Sequence, residues 1–316
     1  MNAQAKPQKK KKKQAAKEAR EALAREQREK LQAPDPLSRD NLKKVGLRVG
    51  IPVAVAWIIA IAIPGWIAKA VVGGLTLVIA GILIWVWRFA SKSKAVAEIV
   101  RTADTAEARK EALSKLDSDF KEGDTAATFA KAQLQMQEDP KAALATLETI
   151  KLDKVMAPVA DEARSQRAMI HLMLGQTDKA RVLVDQVDLS RHKDHRIRAT
   201  LASVVAEGWA RTGQAKKAVE LLDNFDPEDE SYADLRPQIY RSLAFAYAWS
   251  NQTKKMKQVL RKMKQVNVQL LMGFITKRKN PQGVPAKGVH PILEKEAFAL
   301  VMKSGAVPRQ TKVQRM

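Results

Sequence analysis

The sequence predicts an all-α protein: a transmembrane helical hairpin followed by an α-solenoid of about four helix pairs. Three observations lead there. Two stretches carry no charge, 20 residues between Arg48 and Lys69 and 18 between Lys69 and Arg88; each is about the length a helix needs to cross ~30 Å of hydrocarbon. From Ala95 onward Ala, Leu, Glu, Lys and Gln dominate, and apolar residues recur every three or four positions with no strand pattern competing. Short breaks at Glu138, Gly175, Gly213 and Asn251 then repeat at intervals of 37, 38 and 38 residues.

Residues 1–44 form a basic leader, expected to be largely disordered or an exposed helix. A lysine run, Lys9, Lys10, Lys11, Lys12 and Lys13, precedes an Ala/Glu/Arg/Lys segment that ends at Pro34 and Pro36. Pairs such as Glu21 with Arg25 support a solvated helix, and Leu23 and Leu31 give it almost no apolar face. A cleaved signal peptide would put its apolar core near the chain start, whereas this charged leader comes first, so the first span is expected to be retained.

Residues 45–90 hold the two spans, at about 47–64 and 70–88, with Pro64, Gly65 and Trp66 as the turn. Ile51 to Ile63 and Val71 to Trp87 lack the polar face of a helix packed in a soluble core. Basic residues flank the outer ends (Arg39, Lys43, Lys44, Arg48 and Arg88, Lys92, Lys94), while Lys69 stands alone between the spans. Both termini and the repeats should therefore be cytoplasmic, with a bacterial cytoplasmic membrane as the simplest home. Small residues four apart at Gly46, Gly50 and Ala54, and at Ala70 and Gly74, would permit homo-oligomers through close helix approach.

Residues 91–123 are read as a helical connector, with Asp104 or Thr105 a start signal. In 124–268 the breaks align further columns. Five residues after each stand Ala143, Ala180, Ala218 and Met256, then Leu147, Val184, Leu222 and Leu260, then Ile150, Val187, Phe225 and Met263. Four before each stand Leu134, His171, Trp209 and Tyr247, and seven before the last three stand Ala168, Ala206 and Ala244. Each unit reads as helix, tight turn, second helix; one such hairpin cannot bury both faces, so the units must stack.

This pattern resembles tetratricopeptide repeats: a small residue and a later aromatic in the first helix, glycine in the turn, alanine in the second. It is clearest at Met169 to Gln176 and at Gly208 to Gln214. The period exceeds the family's usual ~34 residues, the closing proline is absent, and Glu138 and Asn251 replace glycine in the terminal units. Longer links between hairpins and atypical end repeats would account for the differences. The resemblance implies a curved stack whose first helices line a protein-binding groove, which here would offer Arg164, Arg167, His171, Arg198 and Arg241 to an acidic partner.

Residues 269–316 form a basic C-terminal segment: a loop from Asn280 to Pro291, a final helix from Pro291 to Lys303, and a tail. The total charge of +22 is segregated. Residues 1–48 hold 15 Lys+Arg against 6 Asp+Glu, residues 254–316 hold 15 against 2, and the rest balances. Lys254, Lys255, Lys257, Arg261, Lys262 and Lys264 are thus candidate contacts for a polyanion, with the leader lysines; anionic lipid and RNA both qualify.

Chemistry is sparse. There is no cysteine, hence no disulfide and no thiolate metal site. His192 and His195 flank Asp194 at a spacing a metal could use, but in a charged link with no third ligand in sequence. Gly73 and Gly74 lie inside an apolar span, and Asp226, Glu228, Asp229 and Glu230 read as a solvated turn. No hydrolase, zincin or phosphate-loop motif occurs. The chain is expected to be a non-enzymatic, cofactor-free membrane scaffold that binds a cytoplasmic protein through its repeats. The alternative is a basic membrane-tethered platform for RNA, ribosomes or anionic lipid.

Overall fold

A computed structural model of the protein describes residues 39–305 apart from 65, 104, 122, 137 and 277–287. Lys9 to Lys13, most of the predicted C-terminal loop and the tail lie outside the described residues. Among the described residues all regular structure is helical. The chain divides into two compact units, 1–98 and 99–316.

The first unit contains α1 (Arg39–Ala62) and most of α2 (Ile67–Arg101). Helix α1 begins before the expected span and runs through Pro52 without ending. Helix α2 continues 13 residues past the expected end at 88, so part of the predicted connector is an extension of the second helix. Trp57 Nε1 donates to Thr76 Oγ1 at 3.2 Å, and Thr76 Oγ1 donates to Val72 O at 2.7 Å, giving the hairpin an internal polar link beside Gly73. Elsewhere its large apolar residues face outward, among them Ile58, Ile61, Val71 and Leu77. Among the described residues no helix is long and apolar enough to cross a membrane. Trp85 and Val86, inside the uncharged run of α2, are not among the described side chains.

The second unit opens with α3 (Ala106–Asp119), capped by Thr105, whose hydroxyl accepts from Ala108 N at 3.1 Å. Four helical hairpins follow: α4 (Thr125–Gln135) with α5 (Pro140–Glu148), α6 (Ala157–Met173) with α7 (Thr177–Val184), α8 (His195–Arg211) with α9 (Ala215–Leu222), and α10 (Arg236–Trp249) with α11 (Thr253–Val266). The two helices of each hairpin pack on each other and successive hairpins pack together, as in an α-solenoid. A final helix, α12 (Pro291–Lys303), packs on α11 and on a 3₁₀ segment, Val268–Phe274.

The columns explain the stacking. Ala143, Ala180, Ala218 and Met256 are each fully buried, as are Ala168, Ala206 and Ala244. At Gly208 a Cβ would lie 2.9 and 3.2 Å from the two γ carbons of Val184, so α8 meets α7 where only hydrogen fits. Three of the four turns share one geometry. Gly175, Gly213 and Asn251 take φ of 76°, 89° and 60°, and Gln176, Gln214 and Gln252 donate backbone N–H groups to the carbonyls of His171, Trp209 and Tyr247 at 2.8, 2.8 and 2.9 Å. This is the Schellman closure, in which a left-handed residue lets the chain satisfy the helix's last carbonyls. The first hairpin turns otherwise, with Asp139 capping α5 ahead of Pro140.

The links carry the extra length. Leu189–Arg191 and Glu230–Tyr232 are single 3₁₀ turns, capped by Asp188 and Asp229. One such turn is the three or four residues by which the period exceeds ~34. Polar contacts also recur at the period: Arg196 with Asp234 at 2.5 Å and Gln238 Nε2 with Thr200 O at 3.1 Å both join residues 38 apart.

Candidate partner-binding surface

All five groove candidates stand on first helices: Arg164, Arg167 and His171 on α6, Arg198 on α8, Arg241 on α10. The structure does not gather them into one site. Arg167 Nη2 donates to Leu147 O and Ile150 O, both at 2.7 Å, at and just past the end of α5. His171 is buried, with Nδ1 2.7 Å from Gln176 Oε1 across the turn. Arg198 lies against His195 on the same turn of α8. Arg164 and Arg241 instead join two centres that the sequence reading did not anticipate.

The first centre surrounds Asp161, which is fully buried. Arg164 Nη1 donates to it at 3.1 Å and Arg191 Nη1 at 3.2 Å, with His192 Nε2 3.6 Å away. The second surrounds Glu207 on α8, also buried. Arg241 grips it with two bonds, Nε to Oε2 at 2.9 Å and Nη2 to Oε1 at 3.1 Å, and Arg211 Nη1 donates to Oε1 at 2.8 Å. Arg211 Nη1 donates also to Leu172 O at 2.9 Å, so this centre joins the second, third and fourth hairpins. Both guanidiniums lie over the Phe245 ring, 4.9 and 5.3 Å from its centroid.

Electrostatics hold the second centre charged. Burial alone would raise the Glu207 carboxyl, but the Arg241 and Arg211 charges outweigh it and keep it below its usual range. Burial lowers the Arg211 guanidinium against the opposing pull of Glu207. The second centre sets one carboxylate between two arginines, an excess of positive charge that favours acidic groups nearby; in the first, Arg191 Nε also donates to Asp188 at 3.1 Å, so two arginines face two carboxylates. A cavity of about 120 Å³ borders the second centre, lined by Leu172, Met173, Arg211, Arg241, Phe245, Gly273 and Val289. The chain's own C-terminal segment thus lies beside Arg241; a Cβ at Gly273 would sit 2.9 Å from its Nη1.

One signal for Glu207 was present in the sequence: an acid and an arginine four apart on a helix otherwise rich in Ala and Val. The aromatic column gives a second pattern. Lys217 Nζ lies 4.4 Å from the Trp209 ring and Lys255 Nζ 5.4 Å from the Tyr247 ring, each lysine four residues past its own turn. Trp209 Nε1 reaches back to Asp185 of the preceding hairpin at 2.8 Å.

Among the described residues no cluster of acids and histidines could hold a metal. His192 is buried against Asp161, His195 is exposed, and Asp194 caps α8 by accepting from Arg196 N and Ile197 N, which lowers its carboxyl. The acidic link is exposed as expected, except that Glu228 accepts from Tyr240 Oη and pairs with Lys262 at 2.7 Å. On α11, Lys254, Lys255, Arg261 and Lys262 are exposed and Lys257 and Lys264 half-buried. No protein family, curated protein or solved structure matches this chain.

Proposed function

We propose that the chain is a non-enzymatic scaffold anchored in a membrane by its N-terminal hairpin, whose tetratricopeptide-like stack recruits an acidic cytoplasmic protein. The anchor is supported by the outward apolar surface of α1 and α2: Ile58, Ile61, Val71 and Leu77 are 68%, 66%, 65% and 75% exposed. Water would penalise each such side chain by about 1.5–3 kcal/mol relative to burial, and no polar face offers an alternative packing partner. The 18 uncharged residues from 70 to 87 suffice for one crossing. Recruitment is supported chiefly by the arginine excess around Glu207, on the first helices of the third and fourth hairpins, and tethering would concentrate the bound protein at the bilayer.

The test is affinity purification of the detergent-solubilised chain, at low and high salt and with and without nuclease, beside a variant lacking 124–268. Alkaline extraction of membranes is run on both. The expected outcome is a discrete protein retained in every condition, lost with the stack, from a chain that resists extraction. Partners unchanged by the deletion would refute recruitment by the stack, and release at alkaline pH would refute the anchor.

The exposed lysines of α11 favour a second reading, a platform for a polyanion. Binding of RNA or ribosomes that vanishes with nuclease and salt would establish it in place of the first.

A further inference from the structure

The terminal face of the solenoid, formed by α11 and α12, combines two chemistries. Helix α12 buries Leu293, Ala297 and Val301 against the stack, and on its other side exposes Ile292, Phe298 and Met302, at 42%, 49% and 40%. An end helix of a solenoid ordinarily turns a polar face outward. Here the outward stripe is apolar, with exposed Lys295 and Lys303 set along it. Lys257 of α11 pairs with Glu296 of α12 at 2.9 Å, which brings the exposed Lys254 and Arg261 alongside.

The acids of this region do not neutralise that face. Glu294 and Glu296 are the only two between Lys254 and Met316. Glu294 Oε1 accepts from Thr276 N and Thr276 Oγ1 at 2.8 and 2.6 Å, and Glu296 is held by Lys257.

We propose that this face docks on the anionic headgroups of a lipid bilayer, with Ile292, Phe298 and Met302 entering the headgroup boundary and Lys254, Arg261, Lys295 and Lys303 on the lipid phosphates. The proposal rests on the membrane anchor proposed above. A bilayer rewards both components at once, apolar insertion and surface charge. A nucleic acid would reward the charges but not Ile292 or Met302, and Phe298 is the one exposed ring available for stacking among the described residues of α11 and α12. A second copy of the same face would bring like charges together.

Absence of cysteine permits single-site probes. Met302→Cys and, separately, Leu77→Cys are labelled with an environment-sensitive fluorophore in the full chain. Each is reconstituted in phosphatidylcholine vesicles with or without phosphatidylglycerol, both carrying brominated acyl chains as quenchers. The Leu77 probe should be quenched in both compositions, and the Met302 probe only in the anionic one. The double change Lys254→Glu, Lys295→Glu should weaken the anionic quenching by at least twentyfold in lipid titration, from about fivefold per basic residue. A quenched Leu77 probe with a silent Met302 probe overturns the docking and leaves the anchor standing; a silent Leu77 probe removes the anchor and the docking together. Equal quenching of Met302 in both lipids, or a Met302 signal that needs added RNA or rises with protein concentration in detergent, also overturns it.

Discussion

At Gly213 no atom lies within 4 Å of where a Cβ would stand, so only its φ of 89° resists a side chain. At Gly208 the backbone is ordinary helix, but Val184 blocks the space. The two glycines separate two costs. Gly213→Ala should destabilise by about 1–2 kcal/mol through left-handed strain, and Gly208→Ala by about 1–3 kcal/mol through overpacking. Trp209 fluorescence during urea unfolding measures both, and Val184→Ala should relieve only the second. Asn251 fits the same logic: Asn is the side chain that best tolerates φ near 60°, and the sequence had marked its position by register alone. Gly213 was legible as a turn because spacing isolates it. Gly208 carried no such mark, since a mid-helix glycine reveals its need only when the neighbouring helix is in view.

Elements were legible where the local chain decides them. The final helix runs from Pro291 to Lys303 as anticipated, because proline fixes its first turn, and Thr105 caps α3 by its own hydroxyl. The links were legible as extra length but not as 3₁₀ turns, whose existence depends on Asp188 and Asp229 bending back to cap them. Helix α2 outran its expected end because charged residues such as Lys92, Lys94 and Glu98 do not by themselves stop a helix. One element is tied to pH. His290 Nδ1 accepts from Ile292 N at the start of α12, its ring stands edge-on to Trp249 at 4.8 Å, and burial lowers its pKa below the ordinary 6.5. A histidine held neutral in the fold takes up its proton more readily when released, so its stabilisation is present above about pH 6.5 and fades as pH falls toward the lowered value. Hydrogen-exchange protection of α12 should therefore drop between about pH 7.5 and about pH 5.5. His290→Asn should keep the cap and abolish that drop.

For the whole molecule, stability in a stack is ordinarily a sum of nearest-neighbour terms. The Glu207 centre departs from that, because Arg211 reaches Leu172 in one direction while Arg241 comes from the other. Glu207→Gln strands the buried Arg211 guanidinium and the half-buried one of Arg241 and should cost about 3 kcal/mol. Exchange protection should then fall together in α6, α8 and α10, whereas Arg196→Ala, at an exposed pair, should leave all three unchanged. Periodicity exposed the order of the hairpins and the buried columns, since a repeat writes its core several times over. It could not expose Glu207 with its two arginines, or Asp161 with Arg191 and His192, each of which occurs once.

The 3₁₀ connectors have a consequence for how such a protein can change. Arg191 and His192 stand on or beside one connector and lean back onto Asp161 of the hairpin they leave, while Glu228 of the next leans forward onto Tyr240 and Lys262 of the hairpin they enter. A unit duplicated or transplanted without its own connector would arrive missing its lock on one side. The modules of this chain are interchangeable only with the joint that locks them, the second hairpin with the one that trails it and the fourth with the one that leads into it.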